Sequence, residues 1–436
     1  MNILIMGMGY VGVTTALLLT ELGWNVTGLD PNESRIRMLS QGVLPFYEPG
    51  LDDALRKHLA SGGITFTSEV DMAVCDNEVI FLCVGTPSGS DGSADLRFIK
   101  EAAESIGKNM PGYRLVVIKS TVPVGTNEQV VQWITQAQLT AISFDVISNP
   151  EFLREGSALR DALEPDRIII GSENDQATER LRSLYEKLSC PVVVTKPKTA
   201  ELIKYAANAF LATKISYINE LARLCTKLGV NIADVAVGIG MDHRIGAHFL
   251  RAGIGYGGSC FPKDIHALLF TAQEHDLSLT ILEKVVQVNQ SQAVYYLDIW
   301  EQLLGSFNGK TIAVLGISFK PDTDDIREAP AIGIIAKLLK SSAVIRVHDP
   351  VAKLPGSMYS EQLQQFDSLE ETIQDCDAVI LCSEWKPYIT ADWGQLKSLL
   401  KQPFLLDGRN MLDGAQLTSQ GYHYSGIGMN WTQMHK

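Results

Sequence analysis

The stretch NILIMGMGYVG (2–12) decides the fold of the first half of the chain. A short apolar run typical of a buried strand leads into a Gly-x-Gly-x-x-Gly turn, and VTTALLLTELG (13–23) then predicts a helix. Gly7, Gly9 and Gly12 would allow a tight turn and close approach of a pyrophosphate to the helix N-terminus. The stretch therefore predicts a dinucleotide-binding strand–turn–helix unit.

Asp30 ends the next predicted strand, in NVTGLD (25–30). An acidic side chain at this place hydrogen-bonds the adenosine ribose and repels a 2′-phosphate, so it favours NAD over NADP. Arg35 follows closely, and we interpret it as a wall of the adenosine site. A glycine turn without a ligand is the alternative, and the surrounding strand–helix–strand context argues against it.

After this unit, further apolar runs alternate with helical segments. Examples of the apolar runs are EVIFLCVG (78–85), RLVVIKS (114–120) and FDVISNP (144–150). The alternation returns after residue 310, beginning with KTIAVLGIS (310–318). Strands alternating with helices predict parallel sheets covered on both faces. We therefore expect an α/β protein with two Rossmann-like, doubly wound parallel-sheet domains.

One long helix is predicted between these two regions. The segment 199–229 has no Gly or Pro inside it, with Thr199 as a possible N-cap and Gly229 at its end. We expect it to join the domains or to pack against a second subunit. The predicted division is 1–198 for the NAD-binding domain, 199–305 for a central helical region, and 306–436 for a second, C-terminal Rossmann-like domain.

Composition narrows the class of protein. The 436 residues carry 37 basic and 50 acidic side chains, a formal charge of −13, which argues against nucleic acid as a partner. The seven cysteines are scattered and form no Cys-x-x-Cys pair, so we predict neither a metal site nor a disulfide framework. No apolar run reaches membrane-span length and no secretory signal is evident. A cytoplasmic protein without a membrane partner is expected.

A second glycine-rich stretch, GYGGSCFPKD (255–264), carries a candidate nucleophile. Pro262 suits the first turn of a helix, so Cys260 would lie at a helix N-terminus with Lys263 nearby. Both features lower the pKa of a thiol and favour the reactive thiolate. An inert loop cysteine is the alternative reading of this stretch by itself.

Two other groups of polar residues complete the candidate site. Lys204 and Asn208 are four residues apart on the long predicted helix, so they share a face and could bind a developing alkoxide. SNPEFLREG (148–156) places two carboxylates and an arginine in a loop after a strand, where they could handle a water or ligand hydroxyls. A solvent-exposed lysine and a helix-opening surface loop are the plainer alternatives.

Together these segments resemble the UDP-glucose/GDP-mannose dehydrogenase family nearly from end to end. The resemblance rests on nine motifs in the family's order: GMGYVG (7–12), VGTP (84–87), STVPVGT (120–126), NPEFLREG (149–156), ELIKYAANAFLATKIS (201–216), GMDHRIG (240–246), GYGGSCFPKD (255–264), GISFKPDTDDIREAP (316–330) and DGRN (407–410). It implies two Rossmann-like domains joined by a long helix that also forms a dimer interface. NAD would bind the domain 1–198, the region 199–305 would serve dimerisation, and the domain 306–436 would bind the UDP-sugar.

The resemblance also implies roles for the matching residues. The expected catalytic residues are Cys260, Lys204, Asn208, Asp264, Thr121 and Glu151. The expected NAD contacts are Gly7, Gly9, Val11, Gly12, Asp30, Arg35, Thr86, Thr121, Glu155, Lys263 and Arg327. The expected substrate contacts are Glu151, Phe152, Leu153, Arg154, Glu155, Lys204, Asn208, Arg244, Phe249, Arg251, Gly257, Lys320 and Arg409, of which Arg244 would reach the substrate of a neighbouring subunit.

The activity that the resemblance implies is the NAD-dependent, four-electron oxidation of UDP-glucose to UDP-glucuronate. It would run through a thiohemiacetal and a thioester on Cys260, in a homodimer or larger homo-oligomer. The same chemistry on GDP-mannose, UDP-N-acetylmannosamine or UDP-galactose is an open alternative. A two-electron hydroxyacid dehydrogenase would not need Cys260, and a non-catalytic nucleotide-sugar sensor would bind without producing NADH.

Overall fold

The computed structural model describes residues 1–89 and 91–429, and the chain divides into two compact units. The first unit contains Met1–Ala207 and His266–Ser278. The second contains Asn208–Ile265 and the chain from Leu279 onward. Of the three boundaries, Ala207/Asn208 and Ile265/His266 fall inside helices, and Ser278/Leu279 falls directly before a helix.

The first unit is built on an eight-stranded sheet. Its strands are β1 (Asn2–Met6), β2 (Asn25–Leu29), β3 (Ile64–Thr67), β4 (Val79–Leu82), β5 (Arg114–Ile118), β6 (Phe144–Ser148), β7 (Ile168–Gly171) and β8 (Val192–Thr195). They lie in the order β3-β2-β1-β4-β5-β6-β7-β8. Neighbouring strands are parallel except β6 and β7, which meet antiparallel at Ser148 and Gly171.

Helices cover both faces of this sheet. They are α1 (Tyr10–Glu21), α2 (Glu33–Ser40), α3 (Leu51–Ala60), α4 (Val70–Asp76), α5 (Arg97–Asn109), α6 (Thr126–Ala137), α7 (Ala158–Leu163) and α8 (Asp175–Leu184). The central strands are mainly apolar because side chains on both faces of the sheet are covered, and β4 and β5 are buried at every residue. Two apolar clusters result, one on each face.

The long helix α9 (Pro197–Leu228) has 32 residues and passes from the first unit into the second. It begins two residues before the predicted start at Thr199, because proline is well tolerated in the first turn of a helix. The next helices are α10 (Ile232–Gly240), α11 (Phe261–Glu274) and α12 (Thr280–Leu304). The predicted helical region is thus made of four separate helices.

The second unit repeats the strand order of the first. Its strands are β9 (Thr311–Leu315), β10 (Val344–His348), β11 (Leu363–Gln365), β12 (Ala378–Leu381), β13 (Phe404–Asp407) and β14 (His423–Gly426), all parallel in the order β11-β10-β9-β12-β13-β14. Its remaining helices are α13 (Pro330–Lys340), α14 (Leu369–Ile373), α15 (Lys386–Ile389), α16 (Trp393–Leu396) and α17 (Gly414–Ser419), with short 3₁₀ turns at Gly356–Met358 and Lys397–Leu399.

The predicted fold class, two doubly wound α/β domains joined by a long helix, is confirmed. Of the helices that the structure describes, none is both long and apolar enough to cross a bilayer. Within the same residues, His, Cys, Asp and Glu side chains form no group of three or more suited to a metal ion.

Candidate active site

The glycine-rich turn after β1 lies at the N-terminus of α1. Gly7 has a φ of 94°, and a Cβ on Gly12 would lie only 1.8 Å from the Gly7 carbonyl oxygen. A Cβ on Gly9, by contrast, would have no described atom within 4 Å. Because the first N–H groups of a helix attract anions, this open space fits the pyrophosphate of a dinucleotide. Val11 follows in the first turn and packs against the core.

Asp30 is buried directly after β2 and accepts a hydrogen bond from the backbone of the glycine-rich turn. One carboxylate oxygen accepts a hydrogen bond from Met8 N at 2.9 Å and from Arg35 Nη1 at 2.8 Å, and the other accepts from Asn32 N at 2.9 Å. A carboxylate offers about four acceptor positions, so room for a ribose hydroxyl is left. Arg35 therefore contacts the acid directly as well as bordering the predicted adenosine site.

Two predicted cofactor contacts meet at the carboxyl ends of neighbouring strands. Thr86 follows β4 and Thr121 follows β5, and the Thr86 hydroxyl donates to the Thr121 carbonyl oxygen at 2.9 Å. Thr86 is buried. The edge formed by the carboxyl ends of parallel strands is where doubly wound folds bind ligands, so both residues lie at the expected edge of the sheet.

Lys204 and Glu151 form a buried ion pair in the first unit. Lys204 Nζ lies 2.9 Å from Glu151 Oε1, and their side chains are 4% and 6% exposed. The other Glu151 oxygen accepts from the backbone N–H of Leu153. Burial alone would raise the pKa of Glu151, but the charge and hydrogen bond of Lys204, the Leu153 N–H and the charge of Lys119 outweigh it and lower that pKa. Glu151 is therefore held ionised.

The residues after Glu151 are arranged around this pair. The ring of Phe152 lies 5.4 Å from Lys204 Nζ and 3.7 Å from the Arg167 guanidinium carbon. Arg154 is bound to Asp161, with one nitrogen–oxygen distance of 2.6 Å. Phe152 thus joins the Lys204 cluster, while the Arg154 guanidinium is held by a carboxylate on α7.

Sequence reasoning missed Glu48, which holds this loop against the glycine-rich turn. Its carboxylate accepts from the Tyr10 hydroxyl at 2.7 Å, from Gly156 N at 2.6 Å and from Ala158 N at 2.8 Å. Burial, the hydrogen bond to Glu48 and the charge of Glu155 raise the pKa of Tyr10. No pattern near Glu48 indicates these partners, which are far away in the sequence.

Cys260 lies in the second unit, directly before the first residue of α11. Its carbonyl oxygen accepts from Asp264 N at 2.9 Å, which makes it the N-cap residue of the helix. The sulfur lies 3.6 Å from the Ser259 hydroxyl oxygen, and the residue is partly exposed. A partly exposed thiol at a helix N-terminus has the surroundings that favour a thiolate.

The glycines before Cys260 allow close packing against the loop that follows β9. A Cβ on Gly257 would lie 2.1 Å from the Glu328 carbonyl oxygen. Gly258 has a φ of 86° and donates from its backbone N–H to the Arg327 carbonyl oxygen at 2.9 Å. The Arg327 side chain is bound by Asp325 at 2.6 Å. The structure thus brings the predicted residues Gly257 and Arg327 into adjacent loops.

Asp264 lies in the first turn of α11 and contacts two other predicted residues. It accepts from Asn208 Nδ2 and from Lys263 Nζ, both at 2.6 Å. Asp264 is 2% exposed and Asn208 is 6% exposed. Asn208, Lys263 and Asp264 therefore form one cluster in which Lys263 is partly exposed, and Asp264 lies four residues after Cys260 in the sequence. The Lys263 ammonium is directed to this carboxylate, a contact that the sequence did not predict.

Arg409 and Lys320 lie on loops at the carboxyl edge of the second sheet. The Arg409 guanidinium donates to the carbonyl oxygens of Cys382 at 3.0 Å, Gly255 at 3.1 Å and Phe319 at 2.9 Å. Lys320 Nζ lies 5.5 Å from the centre of the Phe319 ring. Arg409 thus fixes the loop before Cys260, in addition to its predicted place at the substrate.

The remaining predicted substrate residues of the second unit are Arg244, Arg251 and Phe249. Arg251 lies 3.8 Å from Glu384, which also lies 3.6 Å from Arg409. Arg244 is bound to Asp242 at 2.6 Å and its side chain is 78% exposed. Arg251 is exposed and reaches the Asn410 carbonyl oxygen at 3.4 Å. Phe249 has a φ of 63°, which is rare outside glycine, and its ring centre lies 6.3 Å from that of Phe261.

The other six cysteines differ from Cys260 in their surroundings. Cys83, Cys225, Cys376 and Cys382 are buried, Cys190 is half-buried and Cys75 is exposed. Burial raises the pKa of the Cys83 and Cys382 thiols to about 12. These two thiols stay protonated at neutral pH and are poor nucleophiles.

Comparison with known protein families matches three successive parts of the chain. Residues 1–189 match the NAD binding domain of the UDP-glucose/GDP-mannose dehydrogenase family, residues 198–291 its central domain, and residues 313–414 its UDP binding domain. The chain is 42% identical to a UDP-glucose 6-dehydrogenase of Bacillus subtilis (strain 168), covering 98% of this chain and 93% of that relative. It is also 42% identical to the UDP-glucose 6-dehydrogenase of Rhizobium meliloti (strain 1021), covering 98% and 99%.

Solved structures give the same result. The UDP-glucose dehydrogenase of Pyrobaculum islandicum superposes with a TM-score of 0.92 at 37% identity, over 98% of both chains. The UDP-D-ManNAc dehydrogenase of Pyrococcus horikoshii superposes with a TM-score of 0.87 at 27% identity, over 98% of this chain and 99% of that one. On these matches the chain belongs to the UDP-glucose/GDP-mannose dehydrogenase family and binds NAD in its N-terminal domain.

Proposed function

We propose that this chain is a UDP-glucose 6-dehydrogenase, which oxidises the C6 alcohol of UDP-glucose to the carboxylate of UDP-glucuronate. Two kinds of observation support the proposal. The first is the 42% identity, over nearly the whole chain, to relatives that carry this activity in their names. The second is Cys260, which this chain keeps at a helix N-terminus where a thiolate is favoured.

The residues that would hold NAD are those of the glycine-rich turn together with Asp30, Arg35, Thr86 and Thr121. The chemistry that NAD supplies when bound is hydride acceptance, once for each of the two oxidations. Asp30 would orient the adenosine ribose, and the open space above Gly9 would take the pyrophosphate. The two predicted contacts in the second unit, Lys263 and Arg327, would complete this set.

In the first oxidation the C6 alcohol loses its proton and a hydride to become an aldehyde. Lys204 and Asn208 lie one turn apart on α9 and would stabilise negative charge on the C6 oxygen. The alcohol proton passes to a water, which Thr121 and Asp264 would order. Asp264 is suited to this role because it is ionisable and already hydrogen-bonded to Asn208.

In the second oxidation the Cys260 thiolate adds to the aldehyde carbon and forms a thiohemiacetal. Loss of a second hydride leaves a thioester, which keeps the half-oxidised sugar from escaping. Water then attacks the thioester carbon, the C–S bond breaks, and the thiolate is regenerated. Glu151 would accept a proton from that water, since Lys204 keeps it ionised. Overall, the CH2OH group and one water give a carboxylate, two hydrides and three protons.

The decisive experiment measures NADH formed per UDP-glucose consumed, with the wild type and with Cys260→Ser. We expect two NADH per substrate for the wild type, and a loss of overall turnover by orders of magnitude for the variant, because serine is a far weaker nucleophile near neutral pH. Cys75→Ser, at an exposed cysteine, is the matched control and should keep full turnover. A ratio of one, or near-normal turnover of Cys260→Ser, would rule out the covalent route.

The identity of the sugar, the oligomeric state and the cellular location are part of the same proposal. To test which sugar is oxidised, NADH formation is measured with UDP-glucose, UDP-galactose, UDP-N-acetylmannosamine and GDP-mannose. Two of these sugars appear in the names of solved dehydrogenases that resemble this chain, UDP-D-ManNAc at 27% identity and GDP-mannose at 30% identity.

We further propose a homodimer or larger homo-oligomer. A cytoplasmic location is also proposed, because the seven cysteines, all of which lie within the described residues, form no disulfide.

A further inference from the structure

Glu201 is a buried acid for which the proposed mechanism has no role. It lies in the second turn of α9, one turn before Lys204, and is 3% exposed. Residues three apart on a helix lie on the same face, so the two side chains project from one side of α9. A buried carboxylate is costly unless it is well hydrogen-bonded, which makes its partners informative.

Its partners are the backbone of another helix and a serine. One carboxylate oxygen accepts from Gly125 N at 2.7 Å. The other accepts from Asn127 N at 2.8 Å and from the Ser148 hydroxyl at 3.4 Å. Gly125 is the N-cap of α6 and has no side chain of its own to cap the helix. Glu201 therefore caps α6 from a distant part of the chain.

This single carboxylate joins three segments that carry predicted catalytic residues. Gly125 ends the loop that holds Thr121, Ser148 comes three residues before Glu151, and Glu201 itself shares α9 with Lys204. A small cavity of about 10 Å³, enough for roughly one water, lies among these segments. It is lined by Ile118, Ser120, Thr121, Val122, Ser148, Pro150, Glu201 and Lys204.

We propose that Glu201 is a positioning residue for the oxidation: its ionised carboxylate holds the Thr121 loop and Ser148 against the helix turn that presents Lys204. The inference rests on the proposed function, since it assigns Glu201 a part in that same reaction. Glu201 acts through the loop that it caps. Thr121 and Lys204 remain the groups that contact cofactor and substrate.

The charge state of Glu201 should matter near neutral pH. Burial raises its pKa to about 7, although the N–H groups of Gly125 and Asn127 act in the opposite direction. The charged groups on the elements around it are Glu128 on α6 and Lys198 and Lys204 on α9, and Lys198 is itself paired with Glu128 at 2.8 Å. Protonation removes an acceptor from the α6 N-terminus, so turnover should fall as the pH drops through about 7.

The test compares Glu201→Gln with Glu128→Gln, which removes an exposed carboxylate from the first turn of the same α6. We measure kcat and KM for NAD and for UDP-glucose across the neutral range. A glutamine keeps the size of the side chain but has one acceptor oxygen, so we expect kcat to fall at least about tenfold. The decrease in turnover near pH 7 should also disappear. Glu128→Gln should keep the wild-type kcat, and its decrease in turnover should persist at a slightly lower pH, because the charge of Glu128 contributes to the raised pKa of Glu201.

Three results would contradict the proposed role of Glu201. Wild-type kcat and pH profile in Glu201→Gln overturn the proposal, as does an equal loss in Glu128→Gln. If Glu201→Gln does not fold, Glu201→Asp decides instead: its shorter carboxylate cannot span both N–H groups, and an unchanged kcat contradicts the inference. The NADH yield per UDP-glucose and the rate of Cys260 alkylation should stay at wild-type values in folded variants. A wild-type yield other than two indicates failure of the proposed function itself.

Discussion

At the scale of single residues, the predicted catalytic groups are held by charge pairs that the motifs do not display. Lys204 is paired with Glu151, and Asn208 and Lys263 are both bound to Asp264. For Glu151 the pairing with Lys204 is what overcomes the effect of burial on its pKa.

Lys204→Met should leave Glu151 as a buried acid without its cation. We expect the free energy of unfolding to fall by about 3–5 kcal/mol near pH 7, the usual cost of removing one partner of a buried pair. Adding Glu151→Gln to this variant should restore part of the loss. Lys198→Met on the same helix breaks an exposed pair and should cost no more than about 1 kcal/mol. Urea unfolding provides the measurement.

The pH dependence of Lys204→Met follows from the direction of the shift. In the wild type the pKa of Glu151 is lowered on folding, so its stabilising contribution is present above its ordinary pKa and is lost as the pH falls through the lowered value. The difference between wild type and Lys204→Met should therefore shrink in acid. A difference that does not depend on pH would mean that lost packing, rather than lost charge pairing, destabilises the variant.

At the scale of secondary structure, the six strands of the second sheet have the same order as the first six strands of the first sheet. The two sheets differ in the contacts made by the aspartate that follows the second strand of each unit. Asp30 follows β2 and Asp349 follows β10. Asp349 accepts hydrogen bonds from the N–H groups of Ile317, Ser318, Val351 and Ala352 and from the Ser318 hydroxyl. The corresponding turn of the second unit is thus closed by its own backbone, which agrees with its lack of a complete Gly-x-Gly-x-x-Gly.

Two glycines of the first turn should respond differently to alanine. Gly12→Ala would place a Cβ 1.8 Å from the Gly7 carbonyl oxygen, so we expect a loss of at least about 1–3 kcal/mol of stability and a lower Tm. Gly9→Ala has space and an ordinary φ of −81°, so its Tm should be unchanged while its affinity for NAD falls at least about tenfold. Thermal unfolding and NAD titration separate the two effects.

The roles of the two glycines can be contradicted independently. An unchanged Tm in Gly12→Ala would mean that the turn relaxes around the methyl group. Wild-type NAD affinity in Gly9→Ala would mean that the pyrophosphate does not lie over Gly9.

At the scale of the whole molecule, α9 and α10 carry large apolar side chains on the surface. Phe210, Tyr217, Leu224 and Leu228 are 66%, 52%, 52% and 66% exposed, and Met241 after α10 is 80% exposed. The first three are spaced by seven residues, so they share one face of α9. An apolar face of this kind on a chain with a charge of −13 is typical of an association surface.

Introducing carboxylates on this face of α9 should dissociate the proposed oligomer. We expect sedimentation velocity to give at least twice the chain mass of 47.8 kDa for the wild type and a monomer for Phe210→Glu/Leu224→Glu. Burial of two carboxylates in an interface is strongly unfavourable, which is the reason for the change. Leu139→Glu, at a single leucine that is 87% exposed, is the control and should keep the wild-type mass. A monomeric wild type would contradict the assignment.

Much of the fold could be predicted because its signals are local. Apolar runs, glycine turns and the long segment without Gly or Pro depend on neighbours a few residues away, and the strands and helices follow them. The candidate site could be predicted only as a set of residues. Glu48 and Glu201 were missed because each contacts backbone N–H groups between about 70 and 110 residues away, and capping from such a distance leaves no pattern beside the acid.

The order of strands and helices, the position of the glycine-rich turn and the placement of Cys260 before a helix follow from the amino-acid sequence, since they depend on short-range backbone preferences. Which charges meet depends on the three-dimensional packing. The pairing of Lys204 with Glu151 joins residues 53 apart, and the capping of α6 by Glu201 joins residues 74 apart. Such contacts depend on how helices pack on the sheet, because only packing removes both groups from water and makes their pairing necessary.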